Sequence, residues 1–402
     1  MEMIHRNEYI DWLRQWQDKP VIKVITGVRR CGKSTLLTLF KNDLIKRGIL
    51  PEQIISLNLE DLKYDYIRTY LDLNQEVEKK LCTDKMNYIF IDEVQNIDSF
   101  EKAINSIHFK DNCDIYITGS NAYILSSELA TLLTGRYIKI EMLPLSFKEY
   151  ASMNRTNLTN EALFNNYLEF GSFPYISALE PDKKLIQQYH EGLYSTLFIK
   201  DIIQRNGIND VTLLERLTKF LMQNIGCKTS SKKISDSLKA GGLSGDQKTI
   251  DKYLVSLLDS YLFYEAQRFG VKGRQIFSTL SKYYAVDIGL KHSLVKQTQR
   301  DFGYILENIV YLELRRRGFN VYVGQLDGDL EIDFVCVKGD ETIYYQVSAT
   351  TLDESTLERE LKPFARVKDN FPKYLLTLDT IQREVNYDGI QKMNLIDWLL
   401  EI

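Results

Sequence analysis

Proline is scarce, at seven residues in 402, and with 25 tyrosines present that composition excludes a disordered or linker-rich architecture. Cysteine is sparse too. Cys31, Cys82, Cys113, Cys227 and Cys336 are scattered with no C-x-x-C pair, which argues against a disulfide framework or a zinc site and fits free thiols in a reducing compartment. No apolar run approaches membrane-spanning length, and the opening MEMIHRNEYIDWLRQW lacks the apolar core of a signal peptide, so a cytoplasmic protein with no membrane partner is expected. Neither sign of charge dominates: 51 basic residues face 55 acidic ones, a net of −4, so any nucleic-acid surface must be local. Hydrophobic residues at 44% and charged residues at 26% describe an ordinary globular chain, long enough for two or three domains.

What is present is most distinctive at residues 21–37, VIKVITGVRRCGKSTLL. An apolar, β-branched run at 21–25 predicts a buried strand, and Leu36, Leu37, Phe40, Leu44 and Ile45 recur at helical spacing. Between them, residues 27–34 match G-x-x-x-x-G-K-[ST] at every fixed position. In a strand–loop–helix context the glycines let backbone N–H groups turn toward a polyphosphate, and the helix N-terminus adds its positive end. Gly27, Arg29, Arg30, Cys31, Gly32, Lys33, Ser34 and Thr35 are therefore the candidate nucleotide-binding residues. Lys33 is placed to reach the β- and γ-phosphates of ATP, and Ser34 to ligate Mg²⁺.

A second apolar strand at 88–91 closes on Asp92 and Glu93. Asp92 can hold the Mg²⁺ shell, and Glu93 can orient and polarise a water for attack on the γ-phosphate. A further strand at 114–118 ends before Ser120 and Asn121, either of which can serve as a polar sensor of the nucleotide or as a helix N-cap. A helix is predicted at 123–133. Arg136 follows a glycine turn, and either completes the transition-state charge, within the subunit or across a boundary, or is an ordinary surface arginine.

These stretches, with ITGSNAYILSSELATLLTGRY, PLSFKEY, YYAVDIGL, LENIVYLELRRRG, EIDFV, YYQVS and DNFPKYLLTLD, resemble the bacterial and archaeal AAA+-like ATPases that carry a DUF4143 C-terminal region. The resemblance implies an α/β fold: an ASCE-type P-loop parallel sheet whose extra strand lies between the loop strand and the Asp-Glu strand. A helical segment, a winged helix and a small nuclease-like α/β domain follow. The boundaries expected are 1–150 for the ATPase, 151–225 for a helical lid or connector, 226–300 for the winged helix and 301–402 for the last domain.

The residues of 226–300 carry their own signal. Helices at 230–238 and 246–258, then strands at 261–267 and 274–279, give helix, turn, helix, hairpin. Ten lysines and three arginines against six acids make a local excess of seven, which either faces the phosphates of double-stranded DNA or solvates a domain packed against its neighbours. The tail has helix-β-β-β order, with Glu307 on the helix, Glu331 and Asp333 on one strand and Gln346 on the next. This resembles the PD-(D/E)xK nuclease fold, in which a helix Glu, a strand Asp and an E-x-K strand bind Mg²⁺. Here E-x-K is replaced by Gln346-Val347-Ser348, which removes both a ligand charge and the ammonium, leaving a degenerate site. Lys338 and Lys362 are the substitutes considered for that ammonium.

The function expected is a Mg²⁺-ATP hydrolase coupled to a DNA-associated C-terminal module. The competing expectations are a nucleotide-gated switch that recruits a protein partner or a second copy of itself with little turnover, and, least favoured, an ATP-dependent nuclease.

Overall fold

The structure, a computed structural model, describes residues 4–122, 135–153, 158–177, 179, 181–242, 245–296, 301–328 and 330–401. The chain divides into two compact units, Met1–Pro144 with Asp259–Tyr261, and Leu145–Leu258 with Leu262–Ile402.

In the first unit, α1 (Asn7–Trp16) precedes β1 (Ile22–Thr26), α2 (Lys33–Lys46), β2 (Ile54–Asn58), α3 (Tyr70–Glu78), β3 (Asn87–Asp92), α4 (Phe100–His108), β4 (Cys113–Gly119) and β5 (Tyr137–Glu141). The strands form one parallel sheet in the order β2-β3-β4-β1-β5. The extra strand β4 does lie between β3 and β1, as expected. Every residue of β1 and β3 is buried, because helices cover both faces, which is why these strands are continuous apolar runs rather than alternating ones. On one face Phe90 and Tyr116 stack with centroids 4.8 Å apart, and Phe40 of α2 packs on Tyr116 at 5.3 Å. On the other, Ile22, Val24, Ile89 and Ile91 join Ile104 and Ile107 of α4. This packing fixes the carboxyl ends of β1, β3 and β4 side by side at one edge, the place where open α/β sheets bind ligands. The helix expected at 123–133 lies outside the described residues.

The second unit begins with helices α5 (Phe147–Met153), α6 (Asn160–Phe170), α7 (Lys183–Thr196), which continues as π-helix over Leu197–Gln204, and α8 (Val211–Gln223). Next come α9 (Ser231–Ala240), α10 (Gln247–Asp259), β6 (Phe263–Gly270), β7 (Gln275–Ala285), α11 (Ile288–Leu294) and α12 (Phe302–Arg316). The chain finishes with β8 (Asn320–Gln325), β9 (Glu331–Lys338), β10 (Glu341–Val347), α13 (Glu354–Leu361), β11 (Lys373–Thr377), β12 (Val385–Tyr387), β13 (Ile390–Asn394) and α14 (Leu395–Leu400).

Helix, turn, helix and hairpin are thus present in the order read from 226–300, but the hairpin does not stand apart. Strand β6 pairs in parallel with β8, so β6 and β7 extend a single eight-stranded sheet, β12-β13-β11-β10-β9-β8-β6-β7. Apart from Asp259–Tyr261, the stretches expected as separate domains at 151–225, 226–300 and 301–402 fall in one compact unit. Strand β7 is also longer than expected: it runs through both the 274–279 and 283–286 strands, with Leu280 at φ 62° between them. Helix α12 lies on the sheet through Tyr311, stacked on Tyr284 at 4.4 Å, which puts Glu307 one turn earlier on the same face.

Candidate functional site

The phosphate loop links β1 to α2 through three residues with positive φ: Gly27 at 142°, Arg30 at 69° and Gly32 at 107°. Gly27 is required here on two grounds. A Cβ would lie 2.1 Å from the Met142 carbonyl oxygen, and an L side chain rarely adopts that φ. Helix α2 starts directly at Lys33, so its first amides have no intrahelical acceptor and face the loop. The Lys33 ammonium is buried and folds back on the loop, donating to the carbonyls of Gly27 at 2.9 Å and Val28 at 3.1 Å, with Glu93 at 3.9 Å.

Asp92 and Glu93 are delivered to the same edge by β3, and both are buried. Thr118, at the end of the neighbouring β4, holds the pair: its hydroxyl donates to Asp92 Oδ1 and accepts the Glu93 backbone N–H at 3.0 Å. Glu93 has φ 55° and ψ 49°, a left-handed conformation that turns its side chain back toward Lys33 and Gln95. The Gln95 amide donates to Glu93 and also to Ser120 Oγ at 3.3 Å, while its carbonyl oxygen is buried without a partner. Burial pushes the Asp92 carboxyl up, opposed by hydrogen bonds from Ser34 and Thr118. A buried carboxylate beside a serine hydroxyl is a site that a cation stabilises, so Ser34 and Asp92 fit Mg²⁺, and the loop amides with Lys33 fit a polyphosphate.

The other predicted residues divide. Arg29 is paired with Glu60 at 2.6 Å, Arg30 is exposed, and Ser34 and Thr35 are exposed at the start of α2. Cys31 is fully buried and its thiol is pushed up by burial, so only its backbone faces the loop; its carbonyl accepts from the buried Arg6 at 3.2 Å. Ser120 and Asn121 are both buried at the end of β4. Arg136 is not brought to the site. Its carbonyl accepts from Ile22 N at the opposite end of β1, and its guanidinium lies 4.9 Å from the Phe109 ring centre. Four further residues of β1 separate it from the loop, about 13 Å of strand, so it cannot act as a finger within its own subunit. Thr118, Gln95 and Arg6 are the participants that sequence reasoning missed.

In the second unit Glu307, Asp333 and Gln346 do come together, with Glu331, around the ammonium of Lys282. Neither candidate replacement lysine is there: Lys338 is exposed and bonds the Arg317 carbonyl, and no contact brings Lys362 to the cluster among the described residues. Burial works against the Lys282 ammonium, but Glu307 and Asp333 outweigh it and hold its pKa up. Burial and then the Glu307 charge push the Asp333 carboxyl up to about 8. Of the ten lysines of 226–300, Lys282 and Lys291 are buried, so the basic excess overstates what the surface carries.

Residues 19–151 match the AAA domain family, and residues 161–301 match a domain of unknown function, DUF8612. An uncharacterized protein of Haemophilus influenzae is 37% identical over 403 residues, spanning 99% of each chain. The chain belongs to the AAA-domain family of P-loop ATPases. A second relative within it, an uncharacterized protein of Methanocaldococcus jannaschii, is 30% identical over 94% of this chain and 85% of its own. A Walker-type ATPase of Pyrococcus abyssi shares the fold of this AAA-domain protein, at TM-score 0.52 and 17% identity over 72% of this chain and 95% of that one. The DUF4143 expectation is corrected: the region after the AAA domain matches DUF8612 instead. No described helix is long and apolar enough to cross a membrane.

Proposed function

We propose that this AAA-domain protein hydrolyses Mg²⁺-ATP at the edge formed by β1, β3 and β4, and that turnover regulates a DNA association of its second unit. The observation that carries the first part is the convergence of Lys33, Ser34, Asp92 and Glu93 on one sheet edge with Thr118 bracing the two acids. In this reading Lys33 leaves the Gly27 and Val28 carbonyls for the β- and γ-phosphates, and Ser34 and Asp92 hold the metal. Bound Mg²⁺ supplies charge neutralisation of the transferring phosphoryl group. Glu93 orients the attacking water and takes its proton. The DNA part rests on exposed Lys232, Lys233 and Lys239 of α9 and Lys248 and Lys252 of α10, the two helices of the helix-turn-helix order.

A nucleotide-gated switch with slow turnover is favoured by one observation: Glu93 is engaged by Gln95 and faces Lys33, so it must be released before it can serve water. Steady-state phosphate release with and without duplex DNA, at low and high salt, tests both readings. The proposal expects DNA stimulation that fades with salt. Turnover indifferent to DNA would remove the DNA part, and no turnover in either condition would leave the switch.

A further inference from the structure

The carboxylate cluster of the second unit is built from four elements: Lys282 and Tyr284 on β7, Glu307 on α12, Glu331 and Asp333 on β9, and Gln346 on β10. We propose that Lys282 is the resident cation of this cluster, occupying the place that a divalent metal takes in a carboxylate site, so that the unit closes on itself without metal.

Glu307 and Asp333 are buried beside the partly buried Glu331, and acids this close repel unless a cation joins them or a proton neutralises one. A divalent ion solves this by gathering six or more oxygens. Here Lys282 Nζ lies 3.0 Å from Glu307 Oε2, 2.6 Å from Glu331 Oε1 and 4.0 Å from Asp333 Oδ1. Other groups of the protein also engage these acids. Tyr284 OH donates to Glu307 at 3.3 Å, Lys228 pairs with Glu331, and Val347 N donates to Asp333 Oδ2 at 2.9 Å. Gln346 is used at both ends, accepting from Asp333 N at 3.2 Å and donating to Glu360 at 2.9 Å. Among the described residues no group of three or more His, Cys, Asp or Glu side chains has the geometry to hold a metal ion.

This arrangement gives a reason for the glutamine. A glutamate at 346 would lose its donor and set a carboxylate against Glu360, so Gln346 and Lys282 fit one another as parts of a metal-free network. Lys282 also fastens the β6–β7 hairpin to the strands after it, beside Asn308 of α12, which bonds both the N–H and the carbonyl of Ala285 at 2.7 and 2.8 Å.

The test is thermal unfolding of the full chain, free of nucleotide, in an Asp92→Asn background that removes the metal-ligating carboxylate at the phosphate loop. With Lys282 present, replacing EDTA by MnCl₂ at about 5 mM is expected to leave the second-unit transition unchanged. Lys282→Ala is expected to lower that transition by about 5–15 °C, and Mn²⁺ to restore at least half of the loss. Adding Glu307→Gln to Lys282→Ala is expected to abolish the restoration. A saturable Mn²⁺ shift in the Lys282 protein overturns the proposal, as does a folded Lys282→Ala variant indifferent to Mn²⁺. Should Lys282→Ala not fold, counting bound Mn²⁺ by electron paramagnetic resonance on the Lys282 protein decides: none supports the proposal, one per chain overturns it.

Discussion

Thr118 makes the sharpest test of how the acids are held. Its side chain is fully buried, and one hydroxyl serves both residues, donating to Asp92 and accepting the Glu93 N–H at 3.0 Å. Thr118→Val keeps the shape and deletes the oxygen. The bond to a carboxylate is worth roughly 1.5–3 kcal/mol, and a buried N–H left without an acceptor costs roughly another 1–3 kcal/mol. The first unit should therefore lose about 3–5 kcal/mol in a denaturant titration. Release of Asp92 and Glu93 from their shared brace should also lower kcat by about 10–100-fold, which corresponds to about 1.4–2.7 kcal/mol of transition-state stabilisation. Thr118→Ser, which retains both bonds, should stay within about threefold in kcat. A valine variant with the parental denaturation midpoint and a kcat within about threefold would refute the reasoning.

Three other outcomes follow from the same geometry. Gly27→Ala forces a Cβ to 2.1 Å from the Met142 oxygen at φ 142°, so fluorescent-nucleotide titration should show affinity falling by at least about 100-fold. Arg136→Ala should change turnover by no more than about twofold in dilute protein, because Arg136 precedes β5 at the end of the sheet opposite the loop; a loss of about 10³-fold would show it acting as a finger across subunits. Asp333 is raised from 3.8 to about 8 in the fold, so the native state keeps a proton that the unfolded chain releases. Its contribution is complete below the unfolded value and is lost as pH rises through the folded one. Asp333→Asn should accordingly match the parent in Tm near about pH 5 and exceed it near about pH 9; equal differences at both pH values would contradict the shift.

The parts of the fold legible in the sequence were those with local causes. The β1–loop–α2 unit is written in one continuous stretch, and Asp92 and Glu93 end a strand whose apolar run reports burial on both faces. Thr118 and Gln95 carry no comparable local mark. Their roles depend on β4 lying beside β3, and on a left-handed Glu93, neither of which a linear spacing reveals. Lys282 was hidden for a related reason: it lies 25 residues before Glu307, on a hairpin that joins the C-terminal sheet only through the parallel β6–β8 pairing. The β12–β13 hairpin, by contrast, was missed although Asp388-Gly389 marks it. Both residues have positive φ, and Asn386 Oδ1 accepts the Gly389 N–H at 2.8 Å, a turn that the dipeptide alone encodes.

Glu93→Gln tests the central claim most directly, by measuring ATP binding and phosphate release on the same preparation. The substitution keeps the side chain's size and its contact with Gln95 but removes the base. The account predicts ATP affinity within about threefold of the parent with turnover reduced by about 10²–10⁴-fold. Unchanged turnover, or binding and turnover lost together, would contradict the assignment of Glu93 as the residue that directs water.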